Sequence, residues 1–314
     1  MIILLFGAHG QVGSELQRSL ALLGRIKACN QKEVPFQDVD GLRALIREVG
    51  PGLIVNAAAY TAVDRAEAEP ELAYRVNTQA VAVLADEARR LDVGLVHYST
   101  DYVFDGASTL PYLENAPKRP LNIYGKSKLE GEKAIIESGC KHLLFRTSWI
   151  YSEHGTNFAK TMIRLARERE ELAVVDDQVG APTSSGLIAD VTASVLKRID
   201  NGGTTLPGVE ESKAGFFSWD EITGTYHLAA KGRTSWHGFA VYLLAELKRQ
   251  GVSLRVDPES VKPISTEEYP VLAKRPASSC LNTDKLVGRF GIELPDWQTG
   301  IQRLVERLIE RKMV

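Results

Sequence analysis

The sequence predicts an α/β fold: a doubly wound parallel sheet followed by a smaller, mixed α/β C-terminal lobe. Three observations carry this. Short apolar runs alternate with helix-period segments over the first half of the chain. A glycine loop joins the first run to the first helix. The rhythm then loosens after about residue 148. Repeated strand–helix alternation implies a parallel sheet with helices on both faces.

Met1–Phe6 is a continuous apolar run, as expected for a strand buried on both faces. It is short, lacks a basic leader region and runs directly into Gly7, so it reads as a strand rather than a signal peptide. Gln11–Leu23 follows with helical spacing, and further strands are predicted at Ile26–Cys29, Leu53–Asn56, Gly94–Tyr98 and Leu143–Thr147. Helices are predicted at 41–48, 71–91 and 124–138. In the 71–91 segment Ala73, Val76, Ala80, Val83, Leu84, Ala88 and Leu91 mark one apolar face. Beyond 148, helices are predicted near 156–169, 186–200, 235–250 and 298–312, with strands at 172–176 and Tyr226–Ala229. Residues 201–223, rich in Gly, Ser and charge, read as a surface loop. The expected division is 1–148 for dinucleotide binding and 149–314 mainly for substrate, with some later segments returning to the first unit.

Composition excludes several functions. The 38 lysines and arginines nearly balance 40 aspartates and glutamates. This argues against a nucleic-acid or membrane-surface binder. No apolar run reaches the roughly 18 residues of a membrane span. The three cysteines lie more than a hundred residues apart, outside any metal-ligand spacing. Such a scattered set fits a reducing, cytoplasmic setting. The six histidines are equally scattered, so no zinc constellation is visible.

Gly7-Ala-His-Gly10-Gln-Val-Gly13 has the form GxxGxxG between a strand and a helix. Glycine permits the tight turn and lets the backbone approach a pyrophosphate, which the helix N-terminus then receives. The pattern at this βα junction points to a Rossmann-type dinucleotide site. Strand two ends Cys29-Asn30-Gln31-Lys32, without the carboxylate that would favour NAD, so NADPH is preferred over NADH. Lys32 reads equally as a partner for a 2′-phosphate or as a solvated loop lysine. Asp38 and Val39 are placed at adenine, with a helix N-cap as the other reading of Asp38.

Tyr124-Gly-Lys-Ser-Lys128 is YxxxK at a helix start. The i,i+4 spacing puts both side chains on one face. A nearby ammonium eases proton release from a phenol, as a carbonyl reductase requires of its general acid. Ser99-Thr100-Asp101-Tyr102 follows a predicted strand, where an open α/β sheet binds ligands, so Thr100 is placed beside Tyr124. An ST-turn or helix cap is the other reading of Thr100. Asn77 falls on an apolar stripe and must find partners: a backbone bend, a water behind Lys128 or an ordinary core contact.

Taken together with Asn56-Ala-Ala-Ala-Tyr-Thr-Ala-Val-Asp64 and Ser99–Gly106, these motifs resemble the extended short-chain dehydrogenase/reductase superfamily. Arg146-Thr-Ser-Trp-Ile-Tyr151, Asn157-Phe158, Asp176-Asp-Gln-Val-Gly-Ala-Pro-Thr183, Thr234-Ser-Trp236 and Arg275-Pro276 through Ser279 and Leu281 resemble the dTDP-4-dehydrorhamnose reductases, over nearly the whole chain. The resemblance implies NADPH-dependent reduction of the 4-keto group of dTDP-4-dehydro-β-L-rhamnose. It implies that Tyr124 donates the proton, Lys128 lowers its pKa and holds the nicotinamide ribose, and Thr100 bonds the carbonyl oxygen. Gly7, Gly10, Gln11, Val12, Gly13 and Asn30 would hold the cofactor on one side, with Ala59, Tyr60 and Thr61 on the other. Asp101, Tyr102 and Trp149 would meet the dTDP-sugar. Two other functions are compatible with the same motifs: an NADP-binding regulatory subunit related to that of methionine adenosyltransferase, and a reductase of another dTDP-4-keto-6-deoxy sugar. Some members pair as homodimers through carboxylates on Mg²⁺. Glu15 is available for this, but Ser184-Ser185-Gly186 offers no acid after Pro182-Thr183, which argues against a metal bridge. The segment Leu206–Thr223 is longer than the resemblance implies and reads as a surface insertion or as a means of reshaping substrate access.

Overall fold

The computed structural model describes residues 1–30, 33–199 and 216–314. The first half runs β1 (Ile2–Phe6), α1 (Gln11–Ser19), β2 (Arg25–Cys29), α2 (Val39–Val49), β3 (Leu53–Asn56), α3 (Val63–Ala68), α4 (Pro70–Tyr74), α5 (Ala80–Leu91), β4 (Gly94–Thr100), α6 (Ile123–Ser138) and β5 (His142–Thr147). The second half runs β6 (Ile150–Tyr151), α7 (Phe158–Glu168), β7 (Ala173–Val175), β8 (Val179–Gly180), β9 (Thr183–Ser184), α8 (Ser185–Leu196), α9 (Trp219–Ile222), β10 (Gly224–His227), β11 (Thr234–Ser235), α10 (Trp236–Arg249), β12 (Lys262–Ile264), α11 (Asp284–Phe290) and α12 (Trp297–Glu310).

The main sheet has six strands in the order β10-β5-β4-β3-β1-β2. Every pairing within it is parallel. Buried β1 and β3 are apolar on both faces because helices cover both sides. On one face α1 and α8 close a core that includes Leu5, Leu16, Val55, Ile188 and Val195. On the other, α2 and α5 bury Leu42, Ile46, Val81 and Leu84 against Leu4 and Ile54. A separate core, built only from residues beyond 150, joins α7, α10 and α12 through Phe239, Leu243, Ile301 and Leu304.

Two expectations about helices and loops change. The 71–91 segment is not one regular helix: Arg75–Gln79 widens into a π-helical turn between α4 and α5. Asn77, fully buried within it, explains the local widening. Its Oδ1 accepts from the Tyr60 N–H at 2.9 Å, and its Nδ2 donates to the Tyr60 carbonyl at 3.1 Å and to Ser127 Oγ at 3.0 Å. Such bulges re-aim one side chain without ending the helix. The predicted 201–223 loop is also corrected at its end, where Ser218 and Glu221 form a capping box over α9 and Ile222 is fully buried. Positions 206–215 of the longer segment lie outside the described residues. The late strand spans Gly224–His227 rather than 226–229, because its pairing to β5 begins at Gly224↔Leu143. Among the described residues, no helix is long and apolar enough to cross a membrane.

Arg146 ties the sheet to α6. It is 2% exposed, and its Nε and Nη2 meet the two oxygens of buried Glu132 at 2.9 and 2.6 Å. Ser99 donates to the same carboxylate at 2.5 Å, and the Glu114 carbonyl accepts from Arg146 Nη1 at 2.9 Å. Removing one member of such a pair strands the other's charge. Arg146→Ala should therefore cost about 3–5 kcal/mol of stability in urea unfolding. Arg146→Met combined with Glu132→Leu should recover most of it, and a loss below about 1 kcal/mol for the single variant would contradict the account.

Candidate active site

The chain steps from β1 to β2 on one side and to β3 on the other, so a crevice opens at the carboxyl ends of β1 and β3. Gly7 turns there with φ +73°, and a Cβ on it would lie 2.5 Å from the Ala57 carbonyl carbon. A Cβ on Gly13 would strike the Gly7 carbonyl. Both positions thus require glycine for the loop to sit close to β3. Gly10 is the N-cap of α1 and provides no side-chain cap, which leaves the first N–H groups of the helix free for an anion.

A cavity of about 760 Å³ occupies this crevice, lined by Gly7, Gly10, Asn30, Phe36, Ala59 and Tyr60 among others. Its size, glycine floor and open helix terminus fit a dinucleotide. Val12 is buried in the core, so only its backbone faces the loop side. Gln11 accepts from Asn157 Nδ2 at 2.9 Å and thereby links the loop to the second lobe. Asp38 and Val39 stand at the start of α2, next to Phe36 and Gln37. Asp38 caps α2 by accepting from the Gly41 N–H at 3.0 Å, and Phe36 and Gln37 stand at the cavity wall. Thr61 is exposed and lies outside the lining. Lys32 lies outside the described residues. Sequence spacing did not mark His9, Phe36 or Gln37, since they are set by the path of the loops rather than by a motif.

Thr100 ends β4 in register with Thr147 of β5. Asn122 starts α6 beside it by accepting from the Gly125 N–H at 2.8 Å, which presents Tyr124 and, one turn later, Lys128. Burial pushes the Tyr124 phenol up, and a Thr100 hydroxyl turned to donate to its oxygen relieves this in part. Burial pushes Lys128 down to about 8, and the Glu132 carboxylate counters this in part. Lys128 Nζ lies 2.7 Å from the Tyr98 carbonyl and 3.2 Å from His97 Nε2. The site therefore holds a phenol that keeps its proton and a lysine close to giving one up.

Thr100 Oγ1 donates to Asp101 at 3.1 Å and accepts from the Tyr102 N–H at 3.2 Å. Its one proton is thus turned to Asp101, and donation to a carbonyl requires its rotation. Burial pushes Asp101 up to about 6, countered by hydrogen bonds from Ser279 and Thr100. The Tyr102 ring meets the Tyr124 ring edge-on at 5.4 Å. Its hydroxyl accepts from Arg275 at 3.0 Å, and Arg275 also pairs with Asp64. Arg275 and Ser279 thus bring a late sequence block onto the Thr100 segment.

Trp149 stands just past β5 with φ +47°, a strained conformation for a bulky residue. Its ring stacks on Trp236 at 3.6 Å and lies over Gly180, where a Cβ would come within 2.6 Å of the ring. Beside it Thr147 Oγ1 and Ser148 Oγ are buried without a protein partner. Buried hydroxyls of this kind suit the polar groups of a ligand.

Glu15, Glu153 and His154 form a group whose potential ligand atoms lie within 4.8 Å of one another. The sequence offered only Glu15, because Glu153 reaches it through the fold. Arg307 lies 3.1 Å from Glu15 and 3.7 Å from Glu153, with Arg18 and Arg311 at 3.1 and 3.3 Å from these two acids. Arg307 hydrogen-bonds Glu15, whereas the buried Glu153 Oε2 has no hydrogen-bond partner.

The glycine loop gives a direct test. Gly13→Ala should weaken NADPH binding by roughly tenfold or more, about 1.4 kcal/mol, in a fluorescence titration. Unchanged affinity would show that the loop does not hold the dinucleotide.

Residues 1–310 match the family model described as RmlD substrate binding domain. A dTDP-4-dehydrorhamnose reductase of Shigella flexneri is 45% identical over 312 residues, covering 98% of both chains. A crystal structure of a dTDP-4-dehydrorhamnose reductase from Bacillus anthracis in complex with NADP is 33% identical, with a TM-score of 0.84 over 98% of this chain and 99% of that one. Its counterpart from Clostridium acetobutylicum is 34% identical, with a TM-score of 0.85 over 98% and 100%. Full-length agreement in sequence and in fold places this chain in the dTDP-4-dehydrorhamnose reductase family.

Proposed function

We propose that the chain reduces the 4-keto group of dTDP-4-dehydro-β-L-rhamnose with NADPH. The observation that carries this reading is that Thr100 ends β4 next to Tyr124 at the start of α6, with buried Lys128 one turn further along the same helix. They stand in a chain 45% identical to a dTDP-4-dehydrorhamnose reductase. NADPH, when bound, supplies the hydride. Gly7, Gly10 and Gly13 with the first N–H groups of α1 receive its pyrophosphate. Asn30, Ala59 and Tyr60 line the same cleft.

The protein's own part is to place and protonate the sugar. Tyr124 gives its proton to the oxygen that gains charge. A phenol of raised pKa is a poor acid alone, so the Lys128 ammonium must offset the forming phenolate. Thr100 orients the same oxygen after turning from Asp101. Asp101, Tyr102 and Trp149 form the wall against the sugar nucleotide. The residues to 148 hold the dinucleotide, and most of those beyond it shape the sugar site. The three cysteines are free and buried, which fits a cytoplasmic enzyme.

Tyr124→Phe should lower turnover roughly a hundred- to ten-thousand-fold while leaving NADPH affinity within about twofold. Nicotinamide absorbance with dTDP-4-dehydrorhamnose reports the first and fluorescence titration the second; retained turnover excludes Tyr124 as the acid. The pH profile follows from Lys128. Its charged form exists below a pKa of about 8, so turnover should fall as pH rises through that value. A rate that stays flat to pH 10, near the ordinary lysine value of about 10.4, would remove the ammonium from the mechanism.

A further inference from the structure

Asn56 of β3, His97 of β4 and Lys128 of α6 form a buried row, with exposures of 0, 1 and 2%. The polarity of the row follows from its fixed end. The Ala58 backbone N–H can only donate, and it lies 3.0 Å from Asn56 Oδ1. The other amide atom, an NH₂ group, therefore faces His97 Nδ1 at 3.0 Å. Nδ1 must accept, so a neutral imidazole carries its proton on Nε2. That N–H points at Lys128 Nζ, 3.2 Å away. Lysine accepts a hydrogen bond only as the uncharged amine, whose own N–H then donates to the Tyr98 carbonyl at 2.7 Å.

We infer that His97 is a positioning residue that donates to Lys128 and so favours the free amine over the ammonium. Reversing the imidazole sets Nδ1–H against the Asn56 NH₂. Reversing the amide sets that NH₂ against the Ala58 N–H. Either change leaves two donors face to face in a dry site. The lowered pKa values of both Lys128 and His97 agree in direction with this arrangement. The other groups bearing on the row are Glu132, which favours the ammonium and is bound by Arg146, and His142, which disfavours charge on His97. Tyr124 shares the helix face of Lys128, and Asp101 acts on Tyr124.

The inference deepens the reading of Lys128 as the partner of Tyr124 and rests on it, but its primary test does not use turnover. The full chain without cofactor is labelled with ¹⁵N in histidine and ¹³C in the lysine side chain, and its NMR spectra are followed against pH. His97→Phe and Lys128→Met identify the two signals by their loss. The wild-type His97 signal should show the Nε2–H tautomer. In Asn56→Asp the carboxylate accepts from Ala58 and from Nδ1–H, which frees Nε2 to accept from the ammonium. The tautomer should then reverse, and Lys128 should titrate higher by about one unit or more. The alkaline limb of the reductase rate should move with it. In the His97→Phe background the same substitution adds charge alone, so the rise should be less than half as large.

An Nδ1–H tautomer in the wild type would overturn the inference, as would an equal rise with and without His97. The wild-type tautomer decides the matter by itself if the variants do not fold. An active reductase with Nδ1–H loses this inference alone. A chain with Nε2–H and no turnover loses the proposed function alone.

Discussion

Holding the amino group of Lys128 in a dry interior is the constraint on which the site depends. A buried ammonium is costly unless it is hydrogen-bonded, and a lysine with too many charged partners would never approach the uncharged form. The chain meets both demands with groups fixed by secondary structure. The Tyr98 carbonyl and the His97 ring come from β4. Glu132, one turn beyond Lys128 on α6, supplies negative charge but spends its oxygens on Arg146 and Ser99. Arg146 thus anchors α6 to β5 and prevents Glu132 from fully compensating the lysine. A single helix placement determines how tightly Lys128 holds its proton and where Tyr124 stands.

The same helix placement links the two halves of the cleft. Ser127 lies between Tyr124 and Lys128 in sequence and receives a hydrogen bond from Asn77. Asn77 in turn grips both backbone groups of Tyr60 on the cavity wall. The π-helical turn is therefore part of the active-site frame, because a regular helix would aim that amide elsewhere. Asn56 makes a second link, from Ala58 through His97 to Lys128. Reduction needs the cofactor and the acid in fixed relation, and two buried amides connect the cofactor wall to the helix that carries the acid.

Much of this was legible in the sequence, and the remainder was hidden for physical reasons. Apolar alternation located the five strands before residue 148; β1, β3, β4 and β5 are buried along their length and leave a continuous signal, while the half-exposed edge strand β2 is marked by its place in the alternation. Gly7–Gly13 and Tyr124–Lys128 were legible because local spacing sets their geometry. Asn77 was noticeable as a polar residue on an apolar stripe, although its partners were not. His97 carried no such mark: a histidine inside a strand acquires its role only from β3 and α6. The pairing of Glu132 with Arg146 and of Glu15 with Glu153 depends on tertiary contact. Asp38 was legible as an N-cap because a cap is set by residues three apart in the chain.

The edge strand β10 has a consequence for how the chain reaches its folded state. It occupies the outer flank of β5 but is supplied by Gly224–His227, long after β5 itself. Until those residues arrive, the backbone groups of β5 on that side face water or other chains, in a strand that is buried along its whole length in the finished protein. The sheet that holds the dinucleotide is therefore completed only late in synthesis. A polypeptide cut near residue 148 would keep the glycine loop, Tyr124 and Lys128 and still be an adhesive fragment. The apparent boundary between the two lobes divides the chemistry more cleanly than it divides the folding unit.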